Sequence, residues 1–187
     1  MPDPYALLTD EFSQLAIARS QFPMWTDWGV EDESVAVHSL GLTYLTTVGQ
    51  QTGYACCCEY PVAGHKVRAD SVWWDKETRA PVALFEFERH KGGSELVDKV
   101  QNLLRAHHSL KDKPKLLCLV FWTKNFYPLG DEGVANLWQI FERGFVAEDR
   151  QRVQPASTRL LRIFECLHED AGPGRHTLKQ IAERRRR

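Results

Sequence analysis

Residues 67–91 read VRADSVWWDKETRAPVALFEFERHK, and the alternation within this stretch decides the fold. Val67, Ala69, Val72, Trp73 and Trp74 predict one strand, and Val82, Ala83, Leu84, Phe85 and Phe87 predict a second. Asp75-Lys76-Glu77-Thr78-Arg79 is turn material between them, with Pro81 just ahead of the second run. Side chains alternate along a strand, so Val82, Leu84, Glu86 and Glu88 share one face while Ala83, Phe85 and Phe87 share the other. Both faces begin apolar, which predicts a central strand covered on both sides. Thr78 lies midway between Asp70 and Glu86, so an antiparallel hairpin sets Asp70 opposite Glu86 or one residue away. Opposed side chains have Cβ atoms roughly 4.5–5.5 Å apart. Three acids in that space repel one another, and burying them unpaired is costly. A divalent cation, Mg²⁺ or Mn²⁺, resolves the conflict through hard oxygen ligands. The other resolution is a strand leaving the core, with Glu86 and Glu88 solvated and paired by Arg68, Arg89 or Lys91.

Asp70, fifteen intervening residues and then Glu86-Phe87-Glu88 resemble the core of the PD-(D/E)XK nuclease superfamily. That core carries an acid on one strand and acid-x-Lys on the next, usually followed by a helix and another strand. The likeness spans roughly residues 33–123, in the order of elements as well as in the motif. Here Glu88 stands where the usual lysine would be, as it does in some restriction endonucleases of the superfamily. The resemblance implies a restriction-endonuclease-like α/β fold, with a central mixed sheet of four to five strands flanked by helices. It implies Mg²⁺ or Mn²⁺ as cofactor, held by Asp70 and Glu86, with Glu88 as a further catalytic acid. Some members carry the lysine on the following helix, which makes Lys99 the first candidate for that role and Lys91 the second. The expected substrate is DNA, with RNA left open, and a homodimer would suit an enzyme that cuts both strands. The alternative is a catalytically inactive nuclease-like domain that binds nucleic acid or a protein. A third possibility is an unrelated α/β protein with surface acids.

The 187 residues suit one compact domain. Three parts are expected within it: an N-terminal helix and Trp-containing loop (1–30), the nuclease-like core (31–125) and a C-terminal helical extension with an arginine tail (126–187). Lys plus Arg total 24 against 25 Asp plus Glu, so nucleic acid would have to be gripped by local patches rather than bulk charge. The five cysteines include no CxxC pair, which argues against structural zinc and against a disulfide framework. Cys56-Cys57-Cys58 reads as part of a strand of small buried hydrophobes. Without a leader-like N-terminus or a long apolar run, a membrane partner is not expected and a cytoplasmic setting is.

Along the chain, residues 4–21 have helical spacing, and the loop after them holds Trp25 and Trp28, either a stacking platform for bases or plugs of a hydrophobic seam. Glu31-Asp32-Glu33-Ser34 opens a helix running to about Gln51, its acids suiting the positive helix end. Glu33 is also a candidate fourth acid of the site. Residues 54–62 predict the first core strand, with Glu59 either facing the same cleft as Asp70 and joining the metal ligands or standing as an edge residue in solvent. Lys66, Arg68, Lys91 and Arg105 are candidate contacts to nucleic-acid phosphate, although loop and helix cations are also ordinary surface chemistry. Ser94 caps a helix striped by Leu96, Val97, Val100, Leu103 and Leu104, with Lys99 flanking the stripe. Lys115 to Trp122 is an apolar run expected to pair parallel with the Glu86 strand through that crossover helix. Residues 131–147 have helical spacing, residues 159–167 fit helix or strand equally, and Arg184–Arg187 form a basic tail suited to phosphate.

Overall fold

The computed structural model describes residues 3–32, 34–62, 68–123, 126, 128–147 and 150–186. Its elements, in chain order, are α1 (Pro4–Gln14), α2 (Ala16–Gln21), α3 (Pro23–Thr26), β1 (Val30–Glu31), α4 (Ser34–Gln51), β2 (Ala55–Pro61), β3 (Arg68–Trp74) and β4 (Pro81–His90). They continue with α5 (Glu95–Ser109), β5 (Leu116–Thr123), α6 (Asp131–Arg143), β6 (Phe145–Val146), β7 (Arg152–Val153), β8 (Leu161–Gly172) and β9 (Arg175–Glu183). A mixed seven-stranded sheet runs in the order β1-β9-β8-β5-β4-β3-β2, with β6 and β7 paired apart from it.

The hairpin expected at residues 67–91 supplies the fifth and sixth strands of this order, β4 and β3, just inside the β2 edge. Strands β3 and β4 pair antiparallel with Ser71 opposite Phe85, Val72 opposite Leu84 and Trp73 opposite Ala83. One step further along the same register, Asp70 stands across from Glu86. Strand β5 lies parallel to β4, and β8 lies parallel to β5. Alternation along these strands feeds two cores. Trp73, Phe85, Phe87, Val120 and Trp122 pack with α1 to α4 on one face. Val72, Leu84, Leu119, Phe121 and Ile163 pack with α5 and α6 on the other. Helix α4 reaches the sheet through two glycines: a Cβ on Gly41 would lie 2.1 Å from Phe87 Cε1, and one on Gly49 would lie 2.4 Å from Cys56 Sγ.

Several expectations need correction. The sheet has seven strands rather than four to five. The additional strands come largely from the region expected to be a helical extension. Residues 126–187 hold one long helix, α6, and then the β8–β9 hairpin, which joins the main sheet beside β5. Helical and strand periodicity do not separate over residues 159–167, and pairing to β5 decides for strand. The first helix breaks at Leu15, which takes a left-handed backbone (φ 53°) and ends α1 before α2 begins. Strand β2 is an edge, so Cys57 and Cys58 are exposed instead of buried, and all five cysteines are free thiols. Trp25 is fully buried, whereas Trp28 is 63% exposed. Among the described residues, no helix is long and apolar enough to cross a membrane.

Candidate active site

The site forms where the first residues of β3 meet the far end of β4. Asp70 and Glu86 lie on the sheet face that α5 covers, and α5 supplies the opposing charge. Lys99 Nζ stands 2.9 Å from Asp70 Oδ2, 2.8 Å from Glu86 Oε2 and 3.9 Å from Glu88 Oε2. Position 99 comes five residues after Ser94, at the flank of the buried stripe of Leu96, Val100, Leu103 and Leu104. The stripe faces the sheet, so a residue beside it is aimed at the strand ends. Asp70 Oδ2 also accepts a hydrogen bond from the Phe87 N–H at 2.8 Å, and His38 Nε2 of α4 approaches it to 3.8 Å.

Glu86 has no exposed surface. Its Oε2 is ion-paired with Lys99, yet neither of its oxygens makes a hydrogen bond of proper geometry. Burial, reinforced by the adjacent Asp70 charge, pushes its carboxyl well above the usual range. Burial also pushes Asp70 upward, but His38, the Lys99 charge and the Phe87 N–H outweigh it and hold Asp70 below its ordinary value. Lys99 is pulled down by burial, and the charges of Glu86 and Asp70 overcome that and raise it. Asp70 and Lys99 are thus charged at neutral pH, and the uncompensated cost sits on Glu86.

Glu88 is at the rim, its side chain 24% exposed. Its Oε1 accepts the Arg89 N–H at 2.7 Å. Glu88 lines an open groove of about 260 Å³ together with Val35, His38, Ser39, Lys91 and Trp122. A second shallow cavity of about 280 Å³ adjoins it, sharing Lys91. A larger cavity of about 410 Å³, between α6 and Arg184–Arg186, is lined by none of the three acids, whereas the groove reaches Glu88.

The remaining sequence candidates are placed elsewhere. Glu59 falls across from Asp70 in register, but it has a left-handed backbone (φ 53°), and its carboxylate lies 3.7 Å from exposed Arg68 Nη1. Arg105 stacks over the Phe145 ring at 4.8 Å and donates to Asn102 Oδ1 at 3.2 Å, tying α5 to β6. Lys66 and Glu33 lie outside the described residues. Two groups had escaped the sequence reading. His38 joins the acids from α4, and its only signal was a histidine one turn into the helix ahead of the hairpin. Asp32, expected to complement that helix end, instead bonds Arg89 and receives the Trp122 indole N–H at 3.3 Å.

Two carboxylates and a third at the rim of an open groove suit a Mg²⁺-type ion. Such an ion keeps several waters and takes only one or two protein carboxylates, with substrate phosphate completing its shell. The oxygens of buried Glu86, neither of which makes a hydrogen bond, fit that donor set. A preformed cage does not exist: among the described residues, no group of three or more His, Cys, Asp or Glu side chains is arranged to hold a metal ion. No family model matches the chain, and neither a curated protein nor a solved structure matches it significantly, so the acid–lysine cluster itself carries the functional reading.

Proposed function

We propose that this protein is a divalent-metal-dependent nuclease that hydrolyses phosphodiester bonds, with DNA as its substrate. The observation that carries the reading is the convergence of Asp70, Glu86 and Glu88 from adjoining strands on one helix-borne ammonium, that of Lys99. Asp70 and Glu86 would hold Mg²⁺ or Mn²⁺. The ion supplies a lowered water pKa and stabilises charge growing on the phosphate. Glu88 Oε2 is the oxygen not engaged by the Arg89 N–H, and it accepts the proton of the attacking water. Lys99 Nζ neutralises charge on the phosphate oxygens. Lys91, common to the two surface cavities, steers the backbone along the groove.

The test is incubation with plasmid, linear and single-stranded DNA in Mn²⁺, with Glu86→Ala as the comparison. Mn²⁺-dependent cleavage that disappears in the variant is expected. Equal, absent or chelator-insensitive cleavage in both proteins overturns the reading. One observation favours a second reading, a non-catalytic binding module: Lys99 is already engaged by the acids, as in a purely structural ion-pair network. DNA retention without Mn²⁺ uptake or cleavage would select it.

A further inference from the structure

Lys99 holds the position that a metal would contest. Its ammonium touches the same oxygens, Asp70 Oδ2 and Glu86 Oε2, through which those residues converge. The contacts are 2.9 and 2.8 Å, and Mg²⁺ takes oxygens at about 2.0–2.1 Å, so an ion sharing this oxygen pair would sit close against the ammonium and be repelled by it. Binding through the other oxygens would still leave a monocation within a few ångströms of a dication, in a site where Glu86 is wholly buried. Lys99 must therefore yield, and the structure offers it a direction. Its third acidic neighbour, Glu88 at 3.9 Å, is the one that lines the open groove.

We propose that Lys99 is an internal counter-cation that holds the acid cluster together in the metal-free protein, and that an arriving divalent ion displaces it toward the groove. Metal loading and the delivery of Lys99 to the phosphate path are then a single event. This rests on the nuclease reading above. It adds that the positioning lysine lowers metal affinity rather than supporting it.

The experiment is calorimetric titration of Mn²⁺ into the full-length protein and its Lys99→Met, Lys99→Gln and Lys91→Met variants, with melting temperature followed over the same Mn²⁺ series. The proposal expects Lys99→Met and Lys99→Gln to bind Mn²⁺ at least tenfold more tightly than the unaltered protein, with a larger metal-induced rise in Tm. Lys91→Met, which removes a groove cation that does not touch the acids, should change affinity by less than twofold. If Lys99→Met is unfolded alone, Mn²⁺-driven recovery of its circular dichroism spectrum supports the proposal, and failure to recover counts against it. Mn²⁺ binding that is equal or weaker in both Lys99 variants overturns the proposal while leaving the nuclease reading in place. Absence of Mn²⁺ uptake in every protein overturns both.

Discussion

Glu86 and Lys99 divide the chemistry of the cluster between a wholly buried carboxyl and an ammonium that keeps some exposure. On the nuclease reading, truncating Glu86 to Ala should remove a metal ligand and abolish Mn²⁺-dependent cleavage. Lys99→Met retains the ligands but loses charge stabilisation at the phosphate, and its kcat falls on the order of 10²-fold or more. Initial rates on plasmid DNA read both. A second residue prediction concerns His168, which is remote from the acids. Its Nε2 accepts the Trp25 indole N–H at 3.0 Å, which leaves Nδ1–H to donate to the Cys166 carbonyl at 3.2 Å. Burial is the main cause that lowers this imidazole from 6.5 to about 4. Protonation at Nε2 would expel the indole. Because the folded value is depressed, the stability it contributes is present above pH 6.5 and is lost as pH falls toward 4. The loss amounts to roughly 3 kcal/mol at 1.36 kcal/mol per pKa unit. His168→Gln keeps an acceptor but cannot charge, so urea midpoints at pH 7 and pH 4.5 should differ less in the variant.

Helix α4 shows how one element is seated. Its contact with the sheet depends on the absence of side chains at Gly41 and Gly49, where Phe87 and the Cys56–Trp73 pair fill the space. Gly41 and Gly49 are eight residues apart and share a helix face, and this spacing of small residues is the sequence feature that fixes the orientation. On the same helix Val35 is 73% exposed, while Val37, Tyr44 and Leu45 are buried. Gly41→Ala forces the helix off Phe87 and costs about 1–3 kcal/mol in chemical denaturation, despite alanine's better helix propensity. Because α4 carries His38, the same variant should weaken Mn²⁺ binding as well. Unaltered stability would show that α4 is not seated by this contact.

At the scale of the whole molecule, the C-terminal hairpin closes the sheet through one ionic knot. Glu165 of β8 is buried; it accepts the Leu129 N–H at 2.7 Å and is paired with Arg184, whose Nη2 also donates to the Leu129 carbonyl at 2.8 Å. Arg184, first of the tail arginines, is thus structural, and Arg186 lies against Glu142 of α6. Arg184→Met leaves a buried carboxylate unpaired and should cost about 3–5 kcal/mol, read as a lowered urea midpoint. A loss within a few tenths of a kcal/mol would show that the tail is not part of the folded unit.

The sequence by itself determined the hairpin, its register to within one residue, the crossover helix, the parallel strand after it and the nearness of Asp70 to Glu86. All of these follow from local alternation, turn chemistry and counting along the chain. Even Lys99 was legible as a flanking position on the striped helix. Only the tertiary structure decided the sheet's width, because residues 159–167 have no distinctive period and the chain from Leu161 onward becomes strand by pairing with β5. Tertiary structure alone also brought His38 to Asp70 and turned Glu59 away, since one depends on how α4 is seated and the other on a single left-handed backbone angle. Local rules fix which face a side chain occupies, and long-range packing fixes what meets it there.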